Sequence, residues 1–87
     1  MASVRLPPTL PPLFPGLSRR VDVEAATVGD AIAQLDARWP GLRDRLCEPG
    51  PALRPHINVY VDRQRGSLDS PLAAGSHLDV VAAISGG

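Results

Sequence analysis

The stretch HLDVVAAISGG, residues 77–87, decides how the rest of the chain is read. Between His77 and Ser85 its only polar residue is Asp79. Leu78, Val80, Ala82 and Ile84 fall on one face of an extended chain; Asp79, Val81 and Ala83 fall on the other. A strand that becomes apolar on both faces belongs in the middle of a sheet, because an edge or half-solvated strand alternates. After Ile84 nothing remains to bury. Ser85-Gly86-Gly87 is therefore expected to project from the sheet, reaching roughly 10 Å at the ~3.3–3.6 Å per residue of an extended chain. Two glycines carry no Cβ, so such a tail can pass along a channel too narrow for any other residue.

Working back towards the start, residues 56–62 alternate, with Ile57, Val59 and Val61 on one face, and predict another strand. Between the two strands, residues 63–76 are rich in turn formers (Gly66, Pro71 and Gly75), with room for one very short strand near Ser67-Leu68. Pro49, Gly50, Pro51 and Pro55 are expected to exclude regular structure before the 56–62 strand. Earlier still, Val28, Ala31, Ile32, Leu35 and Trp39 recur at helical spacing and form one apolar stripe. Thr27 is placed to accept from the amide of Asp30, and an acid in the first turn suits the positive helix end. Pro40 stops or bends this helix, and Leu42 and Leu46 point to a further short turn. Residues 2–6 and 19–25 alternate as strands and are expected to pair as a hairpin. Five prolines between residues 7 and 15 make the connection an ordered loop rather than a helix. The Pro8–Pro11 spacing also occurs in polyproline ligands, but a stiff loop is the simpler reading.

The order is two strands, one crossover helix, a strand, a very short strand and a last strand. It predicts an α+β fold with one main helix packed on one face of a mixed sheet. With the last strand central and parallel to the first, this is a β-grasp (ubiquitin-like) roll over residues 1–84, followed by a tail at 85–87.

Composition narrows the function. Eighty-seven residues allow one domain with one modest core. Nine acidic residues balance nine basic ones, so no positive excess exists to neutralise nucleic-acid phosphates. Phe14, Trp39 and Tyr60 are the only aromatics, too few for a base-stacking platform. No apolar run approaches the ~20 residues of a membrane span, and the first residues have no signal-peptide core. One cysteine, Cys47, cannot close an internal disulfide; a reducing, cytoplasmic setting is expected. All nine basic residues are arginine, so side chains of this protein offer no amine to an isopeptide bond.

A terminal carboxylate with a pKa of about 3.3–3.7 is ionised at neutral pH and is a poor electrophile. Adenylation would give it a good leaving group, and a sulfur nucleophile displacing AMP would leave a thiocarboxylate, soft and nucleophilic like a thiolate. A terminal Gly-Gly pair is uninformative alone. Its junction with a terminal apolar strand and this element order is what gives it weight.

At this point the chain resembles the MoaD/ThiS family of ubiquitin-like sulfur carriers. The resemblance rests on AATVGDAI at 25–32, RWPGLRDRL at 38–46, INVYVD at 57–62, SPL at 70–72 and the strand ending in Gly86-Gly87. The length and long first loop look more like the MoaD branch, including carriers that feed cysteine synthesis, than like the shorter ThiS proteins. The segment at 63–69 is short for the family, and ISGG at 84–87 departs from its usual tail. The resemblance implies a protein cosubstrate rather than an enzyme. Gly87 would be adenylated and thiocarboxylated, and Gly86 would let the tail into the activating enzyme. Implied partners are an ATP-dependent adenylating enzyme, a sulfur donor and a sulfur-acceptor synthase. It also implies that the chain itself binds no cofactor, ATP being used by the partner, and that it is a monomer when free. Molybdopterin, cysteine, thiamin and secondary metabolites are all possible destinations. Tyr60, Leu68, Leu72 and Val81 are expected to line a partner-binding patch beside the tail, with Ile84 and Ser85 leading into it.

Two other functional classes stay open: a modifier joined through Gly87 to lysines of other proteins, and a binding module whose Gly-Gly is incidental. Cys47 reads as a half-buried structural thiol rather than a nucleophile. His56 and His77 stand at strand starts without metal-ligand spacing, so no metal site is expected. Trp39 reads as a core or rim aromatic.

Overall fold

The computed structural model describes residues 1–50 and 52–83. Alternation at both ends of the chain produces the frame. β1 (Ala2–Arg5) buries Ala2 and Val4 and turns Ser3 and Arg5 outward. It pairs antiparallel with β2 (Arg20–Val23), Val4 opposite Val21. The proline-rich connection is held by its own apolar residues: Leu10 and Leu17 are buried and Phe14 packs on the core. It contains one 3-10 turn, Pro11–Leu13, where a plain loop was expected. Proline tolerates the first positions of a helical turn, because the amide it lacks would have no partner there. This turn removes Pro11 from the extended polyproline geometry a Pro8–Pro11 ligand would need.

α1 (Val28–Arg38) begins where Thr27 and Asp30 predict: Thr27 Oγ1 accepts from the Asp30 N–H at 3.1 Å. Its buried face is Val28, Ala31, Ile32 and Leu35. Trp39 caps the C-terminal end, half-buried, with the Arg38 guanidinium 4.5 Å above its ring. After Pro40, Gly41 takes the left-handed conformation (φ 97°) that reverses the chain into α2 (Leu42–Leu46). Gly41 has no side chain to cap this short helix. Asp36 of α1 does so instead, one carboxylate oxygen accepting from the Gly41 and Arg43 amides at 3.1 and 3.0 Å.

The next segment departs from expectation. β3 (Cys47–Glu48) and β4 (Ala52–Leu53) form a two-residue antiparallel pair where prolines were expected to exclude regular structure. Pro49 sits in its connection, and Pro51 lies outside the described residues. β5 (Ile57–Val61) follows as predicted, Ile57 and Val59 fully inside. It turns directly into β6 (Gln64–Gly66), three residues ahead of the expected Ser67-Leu68. The cause is a two-residue turn in which Asp62 and Arg63 both have positive φ, 48° and 72°. That geometry matches the twist of the flanking strands and makes the tightest hairpin. Asp62 is held there from afar: its N–H donates to the His77 carbonyl at 2.8 Å, and its Oδ1 accepts from the His77 N–H at 2.9 Å.

β7 (His77–Ala82) runs between β1, parallel, and β5, antiparallel. The sheet order β2-β1-β7-β5-β6 puts it in the centre, as its composition predicts. The core lies between the inner face of this sheet and the two helices, with Val4, Ile32, Leu35, Leu46, Val59 and Leu78 at most 1% exposed. Burying a side chain of this size is worth about 1.5–3 kcal/mol. Ile84, Ser85, Gly86 and Gly87, the expected strand end and tail, lie outside the described residues.

Candidate functional site

The candidate site is the end of β7 and the sheet face around it. β7 is hydrogen-bonded on both edges, and the Ala83 N–H donates to the His56 carbonyl at 2.7 Å. The chain is thus anchored up to Ala83, the last described residue, two positions before the start of the expected tail. Ile57 stands opposite Ala82 in the register.

The pleat assigns each side chain of β7 to a face. Leu78 and Val80 enter the core, whereas Asp79 and Val81 point away from the helices. Val81 is 44% exposed, the most exposed large apolar side chain in any strand of the described residues. On β5, Asn58 and Tyr60 share this outer face; Asn58 stands opposite Val81 and Tyr60 opposite Asp79. Tyr60 and Val81 are therefore diagonal neighbours, within reach of an aromatic ring. A shallow recess beside them is lined by Pro7, Pro8, Arg19, Val81 and Ala82.

The structure divides the expected patch. Tyr60 and Val81 lie together on the outer face. Leu72 does not join them: it is 7% exposed and part of the core, because the Leu72 N–H donates to the Ala26 carbonyl and Pro71 bridges to Thr27. Leu68 is half-buried against the core beside the start of α1, its carbonyl accepting from the Gly29 N–H at 2.9 Å. Both leucines thus sit by the helix, not on the outer face. Ile84, Ser85, Gly86 and Gly87 lie outside the described residues.

Arginine surrounds Tyr60 and Val81: Arg5, Arg19 and Arg63 line one recess with them. Arg20, Arg5, Asp79, Tyr60 and Arg65 form one row across four strand pairings. Arg63, in the β5–β6 turn, opens onto the same cleft as Arg5 and Asp79. Arg65 is held flat on the face by a 3.0 Å hydrogen bond to Asn58 Oδ1. The Arg19 Nε–H donates to the Leu6 carbonyl at 3.1 Å. The outward phase of Arg5 and Arg20 was legible from strand alternation, but a net charge of zero gave no reason to group them.

The remaining candidates are elsewhere. Cys47 is a free thiol, 1% exposed, and burial pushes its pKa up against the lowering pull of Arg43 and Arg54. That is the environment of a structural, unreactive thiol, more buried than expected. His56 and His77 are exposed at the starts of β5 and β7, and no three His, Cys, Asp or Glu side chains are grouped to hold a metal among the described residues. No helix of the described residues is long and apolar enough to cross a membrane.

Comparison with known proteins agrees with this architecture. The ThiS family profile matches residues 13–87. The sulfur carrier protein CysO of Mycobacterium bovis is 30% identical over 91 residues, covering 98% of this chain and 97% of that protein. Small archaeal modifier protein 1 of Haloferax volcanii is 39% identical over 69 residues, covering 78% of this chain and 79% of that one. Among solved structures, a chain of the Amycolatopsis orientalis BexX/CysO complex superposes with a TM-score of 0.86 at 28% identity, covering 100% of both chains. The relatives are named as a sulfur carrier and as a small modifier protein. With a β-grasp sheet, a single main helix on one face and a family match running from the first loop through Gly87, this chain belongs to the ThiS family.

Proposed function

We propose that this protein is a sulfur carrier whose working group is the carboxylate of Gly87. An ATP-dependent adenylating enzyme joins that carboxylate to the α-phosphorus of ATP, and pyrophosphate leaves. Hydrosulfide-level sulfur from a donor then attacks the acyl carbon. The bond to AMP breaks, AMP leaves, one proton is released, and Gly87 ends as a thiocarboxylate ready for an acceptor enzyme. This chain supplies the handle and the docking surface, and its partner supplies the activation. Tyr60 and Val81 are the apolar contacts beside the tail, and Gly86 keeps the approach free of side chains.

The observation that carries this reading is the family match extending through residue 87, on a chain whose central strand leads directly to that end. The full-length similarity to a protein named as a sulfur carrier supports it, as does the likeness to a chain solved in a two-protein complex. The test is ATP–pyrophosphate exchange by the cognate adenylating enzyme. Exchange should require this chain and vanish when Gly87 is deleted. Exchange that persists with the deleted chain would remove Gly87 from the reaction.

The similarity to small archaeal modifier proteins supports a second reading, in which the activated Gly87 is passed to lysines of other proteins. It shares the adenylation step and differs in the acceptor. Covalent adducts in cell extract that depend on Gly87 would establish it. Having no lysine, the chain would form no lysine-linked polymers of itself.

A further inference from the structure

β7 ends beside a groove. Its pairing with β5 runs to Ile57–Ala82, and the Ala83 N–H adds one bond to the His56 carbonyl. There the neighbouring strand stops, because the Ile57 N–H donates to the Arg54 carbonyl at 2.9 Å and turns the chain between them. At this turn lies a groove of about 600 Å³, formed by the first loop, the end of α2 and the residues leading into β5, with Ala82 on its wall.

The groove is apolar in one part and positive in another. Leu13 of the first loop lines it and is 50% exposed. Arg45, Arg54 and His56 face one carboxylate, Asp44. Arg54 is set in place: its Nε–H donates to the Asp44 carbonyl at 2.7 Å, and its backbone N–H donates to the Leu46 carbonyl at 2.9 Å. Among the described residues its terminal NH2 groups have no acceptor, although a guanidinium fork is built to hold a carboxylate. An apolar wall beside such a fork suits a short peptide that ends in a carboxylate. The chain carries one at this place. Ile84, Ser85, Gly86 and Gly87 follow Ala83. At ~3.3–3.6 Å per residue these four reach roughly 14 Å. Strand alternation assigns Ile84 to the face of Ala82, the residue on the groove wall.

We infer that this groove is a resting site for the chain's own tail, with Ile84 against Leu13 and the Gly87 carboxylate paired with Arg45 and Arg54. A tethered segment acts at an effective concentration of about millimolar, so even a weak contact is populated ahead of a free peptide. The contact is shallow. Exposed ion pairs add little, and a partner enzyme can therefore draw the tail out. The docking does not depend on what activates Gly87. Its use does rest on the carrier reading: a thiocarboxylate keeps the same single negative charge, pairs with the same arginines, and is shielded while the carrier travels between sulfur donor and acceptor.

The experiment follows backbone amides of the 15N-labelled full chain by NMR, beside a chain lacking residues 84–87. Removing the tail should move the Leu13 and Arg45 amides, which are distant from it in sequence. In the full chain the Gly86 and Gly87 amides should show the heteronuclear NOE of ordered backbone at low salt and approach free-chain values at high NaCl. Arg45→Gln/Arg54→Gln should lower the docked-to-free ratio, read from the Gly87 amide shift, about three- to tenfold, as the loss of two exposed ion pairs requires. Arg45→Gln and Leu13→Ser, both at exposed positions, should each lower it in part with the remaining spectrum unchanged, and Arg20→Gln on the opposite face should match wild type. Free-chain values for Gly86 and Gly87 in wild type, with Leu13 and Arg45 unmoved by loss of the tail, would overturn the docking. ATP–pyrophosphate exchange on the same chain would then still uphold the carrier reading. Docking without any exchange would uphold the groove assignment and overturn the shielding use along with the carrier reading. Shifts that grow with protein concentration would place the tail in a second copy and overturn the intramolecular assignment.

Discussion

Replacing Thr27 by alanine isolates one hydrogen bond that starts α1. The Thr27 hydroxyl accepts from the Asp30 amide at 3.1 Å, at an exposed position. The backbone roles of Thr27, its bridge to Pro71 and the Ala31 N–H donating to its carbonyl at 3.0 Å, do not need the side chain and survive the substitution. What is lost is the cap. Caps of this kind are worth about 0.5–2 kcal/mol, and an exposed amide that can turn to water places this one near 1 kcal/mol. For a domain of this size, 1 kcal/mol lowers the melting temperature by about 4–8 °C. Circular dichroism melts of wild type, Thr27→Ala and Thr27→Ser read this directly, the serine variant melting near wild type. Asp30→Asn keeps the cap and removes the charge at the helix start, costing about 0.3–1 kcal/mol that fades with added salt. The Thr27→Ala loss should not fade with salt. A serine variant as unstable as the alanine variant, or an alanine variant melting with wild type, would refute the assignment of the cap.

Other consequences concern the turns and the thiol. In Gly66→Ala, the new Cβ would lie 2.6 Å from Ser70 Oγ, which accepts from the Ser67 N–H at 2.9 Å; the hydroxyl must move and that exposed hydrogen bond is lost, and urea unfolding should show a loss of about 0.5–1.5 kcal/mol. Cys47 should react with a thiol reagent far more slowly than a free thiol in native buffer, at a rate that rises steeply through the urea transition, because burial raises its pKa and blocks access. The His77 amide holds the Asp62 carboxyl below its usual pKa, so the folded state favours its charged form. Its contribution is complete above the ordinary aspartate pKa and is lost as pH falls through the lowered folded value. The stability–pH profile of Asp62→Ala should therefore be flatter than wild type across that acid window.

Residues carrying a strong local period were legible. The alternation at 2–6, 19–25 and 56–62, the stripe from Val28 to Leu35 and, among the described residues of the last strand, Leu78 and Val80 each describe which face meets the core, and burial follows that description. The central place of the last strand was legible for the same reason. What escaped depends on distant contacts. β6 begins at Gln64 because Asp62 and Arg63 adopt positive φ; aspartate favours such a turn, but Arg63 is not the glycine that completes the signal. Its support comes from His77, fifteen residues on. The β3–β4 pair forms around prolines because only two residues on each side need to pair. Leu72 looked like a surface anchor, and only the pairing of its segment with the residues before α1 puts it in the core. The arginine face was divided among β1, β2, β6 and their turns, so no single stretch of sequence displays it.

The central claim is that Gly87 becomes a thiocarboxylate, and intact mass tests it most directly. The full chain is incubated with ATP, the cognate adenylating enzyme and a sulfur donor, beside a chain lacking Gly87. The account predicts a mass gain equal to the exchange of one oxygen for one sulfur in the full chain, dependent on ATP and absent from the shortened one. An unchanged mass, with an enzyme shown to exchange pyrophosphate on this chain, would contradict the carrier account and turn attention to protein adducts through Gly87.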